Sequence, residues 1–365
     1  MNLVWLTVIL PMSLGAILIA VEAVVKRLIL KGGNIHVGSF GIEIKGGMVS
    51  SLQVAILSFV SATLLFGLVY ILAWGLTLPP ILPKYWLAVL CGTAANSIIQ
   101  FLNIKALSLD KGEVSLTQPL QAMTPGLISG LALLLGEYPS KVGCAGIGLM
   151  ILGSYVLTWE KAPEYWYDYL GPIKRLRLLW NLTKVGLNDQ TPEQRAEMNK
   201  SIVVSLALGS AAMGTIGLLF DGLFVRRGIN LQGMVLGQMT MTAILSLTYL
   251  IIYHWHPDAN EEQKQNFRNC LYGGQVMIYT GLIGTIFVAR MILMQPVFNK
   301  AFVSYVGTLK RISILASVIL GGQLLKEEEF KKRFWAAILI ILGVILISMD
   351  GLPARLSTKI EYLGF

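Results

Sequence analysis

Apolar residues collect along this chain in blocks of about 20, separated by polar stretches. An α-helix of that length crosses about 30 Å of hydrocarbon, whereas a membrane β-barrel gives alternating segments of about ten residues, which the sequence lacks. The pattern predicts an all-α membrane protein with ten transmembrane helices. The predicted helices cover residues 3–25, 52–74, 85–107, 113–136, 141–159, 201–224, 233–253, 270–292, 301–325 and 333–349.

Proline interrupts the fourth block at Pro119 and Pro125. Proline removes a backbone donor and kinks a helix, and membrane proteins tolerate such breaks beside cavities. The sequence therefore predicts an irregular fourth helix that lines a cavity.

Three polar stretches separate or follow the blocks. Residues 26–51 hold glycines around a short β-like run, which predicts a hairpin. Residues 160–200 carry most of the charge outside the blocks and form a hydrophilic linker loop, which we interpret as an interfacial segment or a regulatory, partner-binding one. Residues 351–365 form a short tail.

Composition supports a membrane protein and argues against several other classes. Only 13% of the residues are charged and the mean hydropathy is +0.67, whereas soluble domains average about 25% charged residues. The net charge of +9 is typical of basic loops at a membrane, so we expect no nucleic-acid partner. The three cysteines give no disulfide framework, and nucleotide-binding motifs, metal-ligand clusters and a catalytic triad are missing from the sequence. We therefore expect no cofactor, no metal and no enzymatic activity.

The chain contains an internal repeat. The pattern of residues 137–153, which begins with Glu and ends with Leu-Gly, recurs 190 residues further on at 327–343. The first and sixth blocks also align, with Gly15, Glu22 and Arg27 matching Gly214, Asp221 and Arg226. Five helices per half would place the second repeat, 201–350, upside down relative to the first, 1–159. Inverted repeats are typical of transporters, with the substrate site between the halves.

Two cations lie in the middle of the ninth block, at Lys310 and Arg311. Each costs about 2.5–3.5 kcal/mol at the centre of a membrane helix, so both require a carboxylate, a water-filled cavity or a ligand. One interpretation is an anion site, with Ser304 and Thr308 on the face of Arg311. The alternative is a structural ion pair with Glu22 or Asp221.

Amide side chains recur at helical spacing on other blocks. Asn96, Gln100 and Asn103 follow an i, i+4, i+7 pattern that places them on one helix face. Gln118 and Gln121 lie on the fourth block, and Gln275 and Tyr279 lie on the eighth. Each can make an interhelical hydrogen bond of about 0.6 kcal/mol, but together they predict a substrate cavity lined by amides.

Glu22 and Asp221 are candidates for proton coupling, since carboxylates carry protons in many transporters. Both lie near the ends of their blocks. The alternative is therefore an ion pair one turn further on, with Lys26 or Arg27 for Glu22, and with Arg226 or Arg227 for Asp221.

Two segments resemble known transporters. Residues 114–157, VSLTQPLQAMTPGLISGLALLLGEYPSKVGCAGIGLMILGSYVL, resemble the closing helices of an EamA domain in the drug/metabolite transporter superfamily. Residues 306–347, VGTLKRISILASVILGGQLLKEEEFKKRFWAAILIILGVILI, resemble the same element of a second domain. The resemblance implies ten helices in two inverted EamA repeats and secondary transport by alternating access. Lys310 and Arg311 also resemble a Lys-Arg pair that contacts phosphate in the sugar-phosphate and nucleotide-sugar branch.

The resemblance and the charge distribution disagree about orientation. The family usually has both termini in the cytoplasm, whereas the loops after odd-numbered blocks hold more Lys and Arg, which places the termini outside. Because one long loop causes the bias and long loops follow the rule poorly, we expect cytoplasmic termini.

Three functions remain open from the sequence. The first is a secondary transporter of a small anionic or carboxylate-bearing metabolite, bound by Lys310 and Arg311. The second is a proton-coupled exporter of drugs or of neutral or cationic metabolites, with Glu22 or Asp221 carrying the proton. The third is a membrane scaffold or sensor that works through residues 160–200. For each we expect a multi-pass protein of the bacterial inner membrane that contacts lipid and can form a homodimer.

Overall fold

Ten α-helices and one β-hairpin make up the part of the chain that the structure describes. The structure is a computed structural model. It describes residues 5–31, 33–37, 40–44, 50–80, 83–109, 112–121, 124, 127, 128, 131, 140–157, 192–225, 230–255, 275–301, 306, 307, 309–325 and 330–349.

The helices follow the apolar blocks in order. They are α1 (Leu10–Lys31), α2 (Ser51–Trp74), α3 (Pro83–Ser108), α4 (Val114–Leu120), α5 (Lys141–Leu157), α6 (Pro192–Val225), α7 (Leu231–Trp255), α8 (Gln275–Met294), α9 (Ile312–Leu324) and α10 (Phe330–Met349). A π-helical turn, Trp5–Ile9, precedes α1, and a 3₁₀ turn, Gln295–Asn299, follows α8.

The predicted hairpin is present. Strands β1 (Gly33–Val37) and β2 (Phe40–Ile44) pair antiparallel, with Val37 opposite Phe40 at the turn. The chain is therefore predominantly, and not entirely, helical. After the hairpin, α2 begins with a capping box, in which the Ser50 hydroxyl accepts from the Gln53 backbone and the Gln53 side chain accepts from the Ser50 backbone.

Six of the described helices are long and apolar enough to cross a membrane. These stretches are Leu6–Leu30, Ser51–Trp74, Tyr85–Ser108, Ser201–Gly222, Leu231–His254 and Met277–Asn299. Three shorter apolar helices accompany them at Lys141–Gly153, Ile312–Leu324 and Arg333–Gly343. Many large apolar side chains point outward, among them Leu72, 78% exposed, and Ile278, 70% exposed, as a lipid-facing surface requires. The chain is a helical, multi-pass membrane protein.

Three helices differ in extent from the predicted blocks. Helix α1 continues to Lys31 and α6 begins at Pro192, so residues 192–200 of the predicted linker are helical. The ninth block is interrupted: residues 306, 307 and 309 are helical, Lys310 and Arg311 form a turn, and α9 begins at Ile312. Residues 26–31 and 192–200 were assigned to loops because they are more polar than the blocks, but helix formation does not end where apolar composition ends. Residues 158–191 and 351–365 lie outside the described part of the chain.

Helices of the first half pack mainly against helices of the second half. Helix α1 packs against α8, and α3 packs against α6. Helices α2 and α7, α4 and α9, and α5 and α10 also pair with one another. The two halves play equivalent parts in these contacts. If each helix is replaced by the helix five places along, the α1–α8 contact becomes the α3–α6 contact, and the other three pairs stay the same.

Helices α5 and α10 pack tightly against each other at Gly153 and Gly343. A Cβ atom on Gly153 would lie 2.7 Å from Ile340 Cγ1, and one on Gly343 would lie 2.6 Å from Met150 Cγ. These two glycines are the ones that the 190-residue repeat aligns, and no larger side chain fits at either position without moving a helix.

A Gly153→Ala variant is expected to lose about 1–3 kcal/mol of unfolding free energy, because the added methyl group overlaps Ile340 and the Ala336 carbonyl oxygen. Gly148→Ala on the same helix is the matched control, since a Cβ atom there meets nothing within 4 Å. Denaturant unfolding in detergent compares the two. Equal stabilities would show that the α5–α10 contact is looser than described.

Candidate functional site

A cavity of about 100 Å³ lies between α1, α3, α4, α6, α8 and the turn before α9. That volume holds several water molecules or part of a small ligand. Its walls include four cationic side chains and two carboxylates. These are Lys26, Arg290, Lys310 and Arg311, and Glu22 and Asp221. With every group ionised, the charged side chains of this cavity sum to two positive charges.

Amide side chains form another part of the wall. Asn96, Gln100 and Asn103 of α3 line the cavity, as their helical spacing predicted, and Gln118 and Gln121 join them. Gln121 donates a 2.8 Å hydrogen bond to Asn103 Oδ1. Interhelical bonding and cavity lining therefore occur together in these residues.

Glu22 is held by two cations inside the cavity. Lys26 Nζ, one helical turn further along α1, lies 2.6 Å from Glu22 Oε1, and Arg290 Nε of α8 lies 3.2 Å from Oε2. Lys26 also donates to Gln100 Oε1 at 3.1 Å, and the Arg290 guanidinium lies 4.6 Å from the centre of the Phe287 ring. Because α1 extends to Lys31, this pair lies within the helix and not near its end. Of the two interpretations of Glu22, the geometry favours the ion pair.

Asp221 has a different environment. It is only 8% exposed, and it forms no ion pair with any residue that the structure describes. Lys310 and Arg290 are close enough to act on its charge, and the Gln295 side chain lies next to its carboxylate. Arg226 and Arg227, its expected partners, lie outside the described residues.

Arg311 is a buried cation to which no described residue supplies a counter-ion. It is 6% exposed, its Nε has no hydrogen-bond partner, and within the described part of the chain it forms no ion pair. Lys310 beside it is half-buried, and Asp221 and Glu22 act on its charge only from beyond salt-bridge distance. The structural pair predicted as an alternative, with Glu22 or Asp221 bonded to this Lys-Arg pair, is absent from the described contacts.

Four other predicted site residues do not contribute described side chains to the cavity. Ser304 and Thr308 lie outside the described residues, as does the side chain of Gln275 at the start of α8. Tyr279 packs against an apolar cluster to which α2, α7 and α8 contribute and is not among the residues that line this cavity, so its role in substrate binding stays a prediction. On α8 it is Arg290 whose charge reaches the cavity, and Tyr279 lies three helical turns before it. Tyr279 is therefore too far along the helix to line the cavity.

Several lining residues were not predicted from the sequence. Lys26 was considered only as a partner for Glu22. Ser210 and Gly214, which have the spacing of a helix-packing motif, line the cavity together with Gly217. Arg290 could have been found, because an ionisable residue inside a membrane helix is a functional candidate by default.

A second buried ion pair lies apart from the cavity. Arg333 Nη2 of α10 lies 2.6 Å from Glu113 Oε2, and Arg333 also donates to the Ser115 hydroxyl. This pair connects the start of α4 to α10, and its positive and negative charges neutralise each other.

Comparisons with known proteins support the fold only. Neither a protein-family model nor a curated protein matches this chain. One solved structure, described only as "Crystal structure of protein", is similar with a TM-score of 0.52 at 15% sequence identity. The similarity covers 96% of this chain and 97% of that one. This chain therefore shares its overall fold with a protein of known structure.

Proposed function

We propose that this protein is a secondary transporter of a small anionic or carboxylate-bearing metabolite. The observation that carries the proposal is Arg311, a buried cation for which no described residue supplies a counter-ion. Burying an unpaired charge is expensive, and membrane proteins keep such groups where they contact a substrate. An anion between Arg311 and Lys310 would supply the missing charge, with Arg311 able to bind it through two parallel hydrogen bonds.

The rest of the cavity suits the uncharged part of such a substrate. Amides of α3 and α4 offer both donors and acceptors, as a polar metabolite needs. The net positive charge of the charged lining residues disfavours a cation in the same place.

The architecture supports transport. The exchange of helix contacts between the halves and the interruption before α9 are expected of inverted repeats, whose broken helices meet at the substrate site. We therefore propose ten membrane-spanning helices in two inverted five-helix repeats, membership of the drug/metabolite transporter superfamily and, with it, a bacterial inner membrane location. That the protein is not an enzyme, and that it can form a homodimer, remain predictions.

One observation favours the proton coupling of the second candidate function, the proton-coupled exporter. Asp221 is a buried carboxylate without an ion pair among the described residues, as a proton-coupling group would be. The positive charge of the cavity disfavours cationic drugs, however, so this observation concerns coupling and not the substrate. The scaffold or sensor hypothesis depends on residues 160–200, of which the structure describes only 192–200.

Transport by purified protein in liposomes tests the proposal. Wild type is expected to take up labelled phosphate- or carboxylate-bearing metabolites faster than empty liposomes do. Gly214→Leu is expected to slow uptake at least tenfold, because Gly214 lines the cavity and a Cβ atom there meets only Thr124 Oγ1, at 3.9 Å, so the added side chain extends into the cavity.

Gly281→Leu is the matched control for that variant. Gly281 lies on α8, has nothing within 4 Å of its Cβ position and is not among the cavity-lining residues, so uptake should remain normal. Uptake of choline or another organic cation, with no uptake of any anion, would contradict the proposal and favour an exporter of cations.

A further inference from the structure

We infer that Asp221 is an internal counter-ion that competes with the substrate anion for Lys310, so that anion binding is linked to the uptake of one proton by Asp221. The inference rests on the proposed anion site and adds the way in which that site is coupled to a proton gradient. It assigns the coupling role to Asp221 and excludes Glu22 from it.

The two carboxylates of the cavity differ in their contacts. Glu22 has a cation on each oxygen, Lys26 at 2.6 Å and Arg290 at 3.2 Å, and these partners stabilise its ionised form. Asp221 has no such contact with the described residues: Lys310 and Arg290 act on its charge from beyond salt-bridge distance, and the neutral Gln295 side chain lies next to its carboxylate. A proton can therefore bind to Asp221 without breaking an ion pair, whereas a proton on Glu22 would leave two cations unpaired.

The charged groups that face Asp221 come from three elements. Arg290 is on α8, Lys310 and Arg311 are in the turn before α9, and Glu22 and Lys26 of α1 share the cavity. Helices α3 and α4, which pack against α6, contribute neutral amides to the cavity wall, and Gln295 of the 3₁₀ turn lies next to the Asp221 carboxylate. Because Arg290 is already paired with Glu22, Lys310 is the cation that Asp221 can neutralise.

Binding of an anion changes the balance of charge around Lys310. In the empty cavity, the ionised Asp221 offsets the charge of Lys310. An anion bound between Lys310 and Arg311 brings a second negative charge to the same cations, and two anions in one buried site repel each other. A proton from the solvent, bound to a carboxylate oxygen of Asp221, removes the repulsion and returns to the solvent when the anion leaves. By reciprocity, a lower pH then strengthens anion binding.

Isothermal titration calorimetry with sodium sulfate tests the linkage on the full-length protein in detergent. Sulfate keeps its double negative charge between pH 6 and 8, so it neither takes up nor releases protons itself. Repeating the titration in buffers with different ionisation enthalpies counts the protons that the protein takes up. For wild type we expect uptake of up to one proton per sulfate, and an affinity that falls by up to tenfold per pH unit as the pH rises.

Two variants assign the proton. Asp221→Asn keeps the size of the side chain and removes its charge, so this variant is expected to bind sulfate with no proton uptake and no pH dependence. His254→Gln, at the exposed end of α7, is the matched control and is expected to retain the proton uptake of wild type.

The outcomes separate this inference from the function on which it rests. Sulfate binding that depends on Arg311 but takes up no proton in wild type would overturn the role of Asp221 and leave the anion site intact. Proton uptake that persists in Asp221→Asn would do the same. Sulfate binding that Arg311→Met leaves unchanged, or no binding by wild type, would overturn the anion site and the coupling together.

Discussion

An Arg311→Met variant is expected to be more stable than wild type in the absence of ligand and to lose its response to anions. In the empty protein the Arg311 guanidinium is buried without a described counter-ion, so an apolar side chain of similar length removes a desolvation penalty. Replacing a buried ion pair with well-packed apolar residues is often neutral or stabilises a protein by about 1–4 kcal/mol, and we expect a gain of that order at most for this single charge. Denaturant unfolding without ligand measures the gain, and anion binding measures the loss.

Lys331→Met is the matched control for this prediction. It removes the same charge from an exposed position on α10 and is expected to change the unfolding free energy by less than about 0.5 kcal/mol. If Arg311→Met is instead strongly destabilised without ligand, Arg311 has a structural role in the empty protein and is not reserved for a substrate anion.

A Glu22→Gln variant is expected to lose about 3–5 kcal/mol of unfolding free energy. Glutamine fills the same volume, but it leaves Lys26 and Arg290 buried without a negative charge between them. The same unfolding assay measures this loss. Glu22→Gln is thus expected to lower the unfolding free energy and Arg311→Met to raise it, although each variant removes one charge from the same cavity.

A double-mutant cycle checks the cause of that loss. Adding Lys26→Met to Glu22→Gln removes one of the two unpaired cations and is expected to recover part of the lost stability. If the effects of the two substitutions add with no recovery, the Lys26–Glu22 contact at 2.6 Å does not carry the energy assigned to it.

The sequence predicted the helices and the amide wall because both follow from periodicity. Each apolar block is long enough to specify a helix by itself. Asn96, Gln100 and Asn103 share a face by helix geometry alone, and the cavity is where that face meets α6 and α4. The contact between Lys26 and Glu22 is equally local, since the two residues lie one turn apart.

Contacts between distant helices could not be predicted in this way. Nothing in the sequence pairs Arg290 with Glu22 rather than with Asp221, because that choice depends on how α8 packs against α1. The extension of α1 past residue 25 also depends on how the helices pack, because the buried Lys26 is stabilised by Glu22 and Gln100. Gly214 lines the cavity because α3 and α4 leave space beside it, which its spacing from Ser210 does not reveal.

The most direct test of the central claim is the thermal stability of wild type and of a Lys310→Ala/Arg311→Ala variant with phosphorylated and carboxylated compounds and with sulfate. Sulfate also stabilises proteins non-specifically, but that contribution is the same for both proteins and cancels in the comparison. A ligand at 100 times its dissociation constant is expected to stabilise wild type by about 2.7 kcal/mol and to have no specific effect on the variant. An equal response of the two proteins to every anion would contradict the account, because the binding site would then lie elsewhere than at Lys310 and Arg311.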